Sequence, residues 1–257
     1  MVPTLFHVRR GSGAPLLLIM GMSGHHRMWG ERFLSLLERD FDVLAFDHRG
    51  IGQSGRAEPG FTIADLAQDA VRLLDEVGWD SAHVFGISLG GMVAQELVLN
   101  HPDRVRTLAL GCTYAGPGGD LSAQGAQRAF EAALTGDQEL AIRTAYEVNV
   151  SPRHASDQDN YTVFRREVQT VRVPGPVVTM QLQAVLGHDA TARLGTITVP
   201  TLVIHGTEDD MLSVANGKHL ADLIPGARLE LFEGVGHMLW WEEPERTAAL
   251  LREHAGS

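Results

Sequence analysis

The stretch HVFGISLGGMVAQELV, residues 83–98, sets a serine between glycines directly after an apolar run. Ser88 stands with Gly86 and Gly90 in the pattern Gly-x-Ser-x-Gly. Alone, that pattern can be no more than a tight turn. With a strand before it and a helix after it, it becomes the sharp bend that lifts a serine hydroxyl out of a sheet as a nucleophile. Such a serine needs a base, and the base needs an acid to orient it. EGVGHMLWW offers His237 in a glycine-rich loop after ARLELFE, and HGTEDDM offers three consecutive carboxylates, Glu208, Asp209 and Asp210. Each of these, taken singly, reads as an ordinary loop side chain. Together they give the chain order serine, acid, histidine, each member following a strand-like run, and open α/β sheets gather their sites at that edge.

The elements that must position these groups are legible from apolar patterning. The runs PLLLIM (15–20), DVLAF (42–46), AHVFGI (82–87), VRTLAL (105–110) and PTLVIH (200–205) predict strands buried on both faces, as in a parallel sheet covered by helices. In TIADLAQDAVRLLDEVGW, helical spacing puts Ile63, Leu66, Ala67, Ala70, Leu73, Leu74 and Val77 on one face. Thr62 with Asp65 predicts a capping box at its start. LGGMVAQELVLNHP, VANGKHLADLIPG and EPERTAALLREHAG predict further helices. This alternation predicts an α/β fold with a doubly wound, mostly parallel sheet. From about 120 to 194 the alternation lapses into helical patterns such as AQRAFEAALTGDQELAIRTAYEV, with no strand signal. Residues 120–194 are therefore expected to form a helical cap inserted into a core of 1–119 and 195–257.

Composition removes several classes of function. The formal charge is −11, with 21 basic against 32 acidic residues, which disfavours nucleic acid or an anionic membrane as partner. No apolar run approaches the roughly 18 residues of a membrane span. The segment MVPTLFHVRRGSG lacks the basic-then-apolar pattern of a signal peptide, so the cytoplasm is the expected compartment. Cys112 is the only cysteine, which excludes an internal disulfide and a cysteine-rich metal site; it reads as a small core residue. His25 and His26 are adjacent and face different directions, and no histidine–carboxylate set has metal-ligand spacing, so no metal is expected. GIGQSG (50–55) matches the dinucleotide pattern G-x-G-x-x-G, but there the last glycine must open a helix. Here Pro59-Gly60 intervenes, so no nucleotide cofactor is expected.

The pieces LLLIMGMSG, FDHRGIGQS, GISLGG, HGTED and GVGH, in this order and spacing, make the chain resemble the α/β-hydrolase superfamily, in its cap-bearing branch, over almost its full length. The resemblance implies Ser88 as nucleophile, Asp209 as acid and His237 as base. It implies an oxyanion hole from the backbone N–H groups of Leu89 and Met22. The family usually has His-Gly in that early loop, where this chain has Met20-Gly21; a methionine cannot make the side-chain hydrogen bonds that histidine could, while the Met22 N–H survives the change. Gly21, His25 and Trp29 after the loop, with Met238 and Trp240 beside His237, are the candidate pocket residues, and they imply a fairly apolar substrate. The implied reaction is hydrolysis of a small-molecule carboxylic ester or lactone, without metal or cofactor. The same residues also suit C–C bond hydrolysis, thioester cleavage, acyl transfer and perhydrolysis. A non-catalytic small-molecule binding protein is the alternative from another class.

Overall fold

The structure, a computed structural model, describes residues 3–120 and 122–256. Its centre is a seven-stranded sheet in the order β1-β3-β2-β4-β5-β6-β7. The strands are β1 (His7–Gly11), β2 (Ala14–Ile19), β3 (Phe41–Phe46), β4 (Ala82–Ile87), β5 (Val105–Gly111), β6 (Thr201–Gly206) and β7 (Arg228–Phe232). All neighbours pair in parallel except β1, which runs antiparallel to β3 with His7 opposite Phe46. The five apolar runs become β2 to β6, and ARLELFE becomes β7.

Strand alternation sends successive side chains to opposite faces, and the core divides accordingly. On β2, Leu17 and Ile19 join the face packed by α2 (Ile63–Glu76) and α3 (Leu89–Asn100). Leu16 and Leu18 join the other face, under α1 (Glu31–Leu37) and α11 (Pro244–Ala255). The Thr62–Asp65 capping box forms as expected: the Asp65 N–H donates to Thr62 Oγ1 at 3.2 Å, and the Thr62 N–H donates to Asp65 Oδ2 at 2.8 Å. Helix α3 is apolar nearly all round and buried from Leu89 to Val98, as befits a helix covered on every side.

Between β5 and β6 the described residues form helices and no strand. They are α4 (Gly125–Leu134), α5 (Gln138–Asn149), α6 (Pro152–Ala155), α7 (Gln158–Thr170) and α8 (Gly175–Leu186). This insertion is tied to the loops at the C-terminal edge of the sheet. The Gly125 N–H donates to the Asp210 carbonyl at 2.8 Å, the Gly52 N–H to the Arg172 carbonyl at 3.0 Å, and Arg27 pairs with Glu167 at 2.8 Å. The GIGQSG loop leads into no helix before Ile63, and Gly50 and Gly52 sit at φ 79° and 56°. After β6 come α9 (Ala215–Leu223) and the short α10 (Leu239–Glu242). No helix among the described residues is long and apolar enough to cross a membrane.

Several buried histidines give the fold a pH dependence of definite sign. Burial pushes the imidazoles of His25 and His188 down to about 4, and lowers those of His48 and His83 as well. The unfolded chain therefore binds more protons than the folded one between about pH 6.5 and 4, and stability falls as pH falls through that window. By pH 5, His25 and His188 should each cost on the order of 2 kcal/mol. Melting temperature measured from pH 7.5 to 4.5 should decline steadily below about pH 6.5. A flat profile between pH 7 and 5 would mean these rings are not held neutral in the folded protein.

Candidate active site

Ser88 ends β4 and begins α3 at φ 55° and ψ −123°, a conformation that costs a non-glycine residue on the order of 1–3 kcal/mol. The surroundings enforce it. The Ser88 N–H donates to the Gly111 carbonyl at 2.9 Å, while its own carbonyl accepts from Thr113 Oγ1 at 2.7 Å and from the Gly91 N–H at 2.9 Å. The glycines on either side permit the close packing that the bend requires. A Cβ on Gly86 would lie 2.2 Å from the Gly90 carbonyl oxygen, and one on Gly90 would lie 2.0 Å from that of Ile19. No side chain fits at either position.

His237 and Asp209 meet through the loops after β7 and β6. These loops touch directly, for a Cβ on Gly206 would stand 2.3 Å from the Val235 and Gly236 carbonyls. The His237 Nδ1–H donates to Asp209 Oδ2 at 2.8 Å. Asp209 Oδ1 accepts the backbone N–H groups of Met211 and Leu212, both at 2.9 Å. Burial alone would raise the Asp209 carboxyl; the His237 charge and the hydrogen bonds from His205 and His237 outweigh it and hold the group well below the usual carboxylate range. Asp209 is therefore an anion, and Nε2 is the imidazole nitrogen free to take a proton. The neighbouring carboxylates go elsewhere: Glu208 is exposed, and Asp210 pairs with Arg128 at 3.0 Å.

The histidine loop is held on both sides. The Gly236 N–H donates to Glu242 Oε1 at 2.8 Å, and the Met238 N–H donates to the Asn149 carbonyl at 2.8 Å. Glu242 also accepts the Ser151 N–H at 2.9 Å and the Ser151 hydroxyl, so one carboxylate links this loop to the turn between α5 and α6. Sequence spacing carries no sign of that bracket.

A further histidine escaped the sequence reading. His205, on β6 and fully buried, has Nε2 2.9 Å from the Leu212 carbonyl and 3.2 Å from Asp209 Oδ2. Both neighbours only accept, so Nε2 carries the proton and steadies the carboxylate. Cys112, His205 and Asp209 bring metal-capable atoms within 4.8 Å of one another, a histidine–carboxylate grouping that the spacing argument had excluded. The groups are already engaged: Asp209 accepts from His237 and from backbone N–H groups. Burial pushes the Cys112 thiol well above its ordinary range, which makes it a core residue rather than a nucleophile.

The loop after β2 comes up against Ser88. A Cβ on Gly21 would lie 3.2 Å from Ser88 Cβ and 3.7 Å from its Oγ. The N–H groups of Met22 and Leu89 donate to no group among the described residues. The support expected from a histidine at position 20 comes instead from His48, whose Nε2–H donates to the Met20 carbonyl at 2.9 Å. Burial lowers the His48 imidazole, keeping it a neutral donor. The turn closes with the Gly24 N–H on the Gly21 carbonyl at 3.2 Å, and it places Ser23 at φ 59°.

Of the pocket candidates, Gly21 is set against Ser88. Met238 is buried, tied to Asn149. The Trp29 and Trp240 rings pack at 5.1 Å, tilted by 52°, beside Phe33 and Phe85, and the Trp240 indole N–H donates to the Met28 carbonyl at 3.0 Å. They line a cavity of about 420 Å³ with Arg27 and Glu167, whose wall includes none of Ser88, Asp209 or His237. His25 is buried, and neither ring nitrogen has a partner among the described residues.

A parallel sheet with a strained serine at the end of β4 and a histidine–aspartate pair after β7 and β6 defines an α/β hydrolase, and the chain belongs to that family. The family profile described as alpha/beta hydrolase fold matches residues 14–244. Among curated relatives, the proposed carbamate hydrolase RutD of Azorhizobium caulinodans is 32% identical over 232 residues, 88% of this chain and 84% of the relative. Among solved structures, Est816, described as an N-acyl homoserine lactone degrading enzyme, is 30% identical with a TM-score of 0.78, covering 98% of this chain and 96% of the other. The esterase RhEst1 from Rhodococcus sp. ECU1013 is 25% identical with a TM-score of 0.86, covering 99% and 95%.

Proposed function

We propose that the protein is a serine hydrolase that cleaves a carboxylic ester or lactone of a small, largely apolar molecule. In this reading Ser88 Oγ attacks the carbonyl carbon while His237 Nε2 takes its proton. Asp209 holds Nδ1–H, so the ring keeps the tautomer that leaves Nε2 free and is stabilised once it becomes a cation. The Met22 and Leu89 N–H groups face the oxygen as negative charge develops on it, an effect worth about a hundredfold to a thousandfold for one donor. The C–O bond then breaks, the leaving alkoxide takes the proton from His237, and the acyl group stays on Ser88. Water, deprotonated by the same imidazole, attacks the acyl-enzyme and releases the acid. The helical insertion serves as a cap that shapes access to the cleft.

The observation that carries this reading is the 2.8 Å bond from His237 to a buried, ionised Asp209, on the sheet edge that also presents Ser88. The test is turnover of short nitrophenyl esters and aliphatic lactones, with stoichiometric labelling by a serine-directed phosphonate. Rapid hydrolysis and one adduct, on Ser88, are the expected results. Binding of these esters without turnover would instead favour a small-molecule binding protein. A carbamate carbonyl is a second reading, favoured by the identity to the proposed carbamate hydrolase. The same groups would act on it, and comparing a phenyl carbamate with phenyl acetate separates the two.

A further inference from the structure

Helix α8 of the insertion sends one polar side chain into the neighbourhood of the oxyanion loop. Gln181 is fully buried, and its Oε1 accepts the Ser23 N–H at 2.8 Å. Ser23 directly follows Met22, and the positive φ at Ser23 shows that the loop is held in a demanding conformation. The other end of the carboxamide, Nε2, is buried with no partner among the described residues. Because Oε1 is engaged by a donor, Nε2 is the donor end of the group, and the assignment of the two atoms is fixed by chemistry. Covalent geometry keeps Nε2 within about 9 Å of the Met22 nitrogen. The two ring nitrogens of His25, two residues beyond Ser23, are likewise buried and unpartnered. Among the described residues, three of the eight buried side-chain polar atoms without partners therefore belong to this one loop and the helix above it.

We propose that Gln181 is a specificity-determining residue: its Oε1 latches the insertion to the oxyanion loop, and its Nε2–H reads a neutral hydrogen-bond acceptor on the substrate. This rests on the serine-hydrolase reading above. The substrate class it names is an ester or lactone with a carbonyl or ether oxygen a few bonds from the scissile carbonyl. A buried amide donor without a partner costs about 1–3 kcal/mol, and an acceptor on the substrate removes that cost while an alkyl group does not. The donor is uncharged and the chain carries a formal charge of −11, so a neutral oxygen suits the site better than a carboxylate. The same carboxamide makes loop geometry depend on where the insertion sits, because the peptide it grips adjoins the Met22 N–H.

The experiment compares kcat/KM for matched nitrophenyl esters: methoxyacetate against butyrate, and acetoacetate against isovalerate. Each value is divided by the ester's rate with hydroxide, which removes the intrinsic activation by the extra oxygen. The wild-type protein should favour the acceptor-bearing member of at least one pair by about tenfold to a hundredfold. Gln181→Glu, read at a pH where its carboxyl is ionised, keeps an oxygen for the Ser23 N–H but has no donor at the second position, and Gln181→Met has neither at any pH. Both variants should bring the corrected ratio to within about threefold of unity, whatever happens to the absolute rate. A latch without a reading role would change both members of a pair alike and leave the ratio where it was, which overturns the proposal. A wild-type ratio near one overturns it as well, with no variant required. If the wild-type protein hydrolyses none of the four esters, the serine-hydrolase reading fails and takes this inference with it. If it hydrolyses all four without preference, only this inference fails.

Discussion

Ser88→Ala and His237→Ala are each expected to lower turnover by about a millionfold, and the double variant to be scarcely slower than either single one. The reason is mutual dependence. A neutral serine hydroxyl is a poor nucleophile unless its proton leaves as it attacks, and His237 has no role in the step once the hydroxyl is gone. Additive losses would mean that the two residues do not act as a unit. The variants differ in their structural cost. Alanine at position 88 keeps the same unfavourable backbone at φ 55°, so folding should change little. Alanine at position 237 removes the Nδ1–H donor from a buried carboxylate, which still accepts from Met211 and Leu212. His237→Gln offers an amide donor in place of Nδ1–H while removing the base. Equal losses in His237→Gln and His237→Ala, with native circular dichroism in both, would assign the effect to proton transfer.

The sheet was legible because its strands lie under helices on both faces, and burial on two faces leaves an unbroken apolar run. β1 shows the limit of that signal. Its sequence is HVRRG, and its arginines form exposed or half-exposed ion pairs, Arg9 with Asp42 and Arg10 with Glu31 and Glu38. An edge strand with charges on it protects the sheet from further pairing, and for the same reason it carries no apolar run to find. Ser88 and His237 were legible because tight local geometry demands glycines at fixed offsets. The groups that hold the site in place leave no such local trace. Gln181 lies 158 residues from the Ser23 it grips, and Glu242 lies 91 from Ser151. His205 sits inside an apolar strand, where a histidine reads as packing. His48 supports the loop that follows Met20, but it comes from the loop after β3, the strand beside β2, so only the fold connects the two.

The choice among Glu208, Asp209 and Asp210 is open to a direct comparison of three nearly isosteric variants. Asp209→Asn should lower turnover by about ten-thousandfold, the scale seen when a catalytic histidine is held in the wrong tautomer. The surrounding donors dictate how the new amide sits. The N–H groups of Met211 and Leu212 both point at Oδ1, so the asparagine places its oxygen there and turns its NH2 toward His237. Nδ1 must then accept rather than donate, the ring proton moves to Nε2, and Nε2 no longer has a lone pair to offer. His205 adds to the conflict, since its Nε2–H would meet a second donor. The ionised state of Asp209 is secure through neutral and mildly acidic pH, because its carboxyl is held well below the ordinary range. Asp210→Asn, by contrast, loses a half-exposed ion pair with Arg128 worth less than about 1 kcal/mol. Glu208→Gln changes an exposed side chain that makes no ion pair among the described residues. Both should retain turnover within about tenfold of the parent. A large loss in Asp210→Asn, with Asp209→Asn near the parent rate, would move the acid by one residue. It would also mean that the 2.8 Å bond to His237 is not the one used in the reaction.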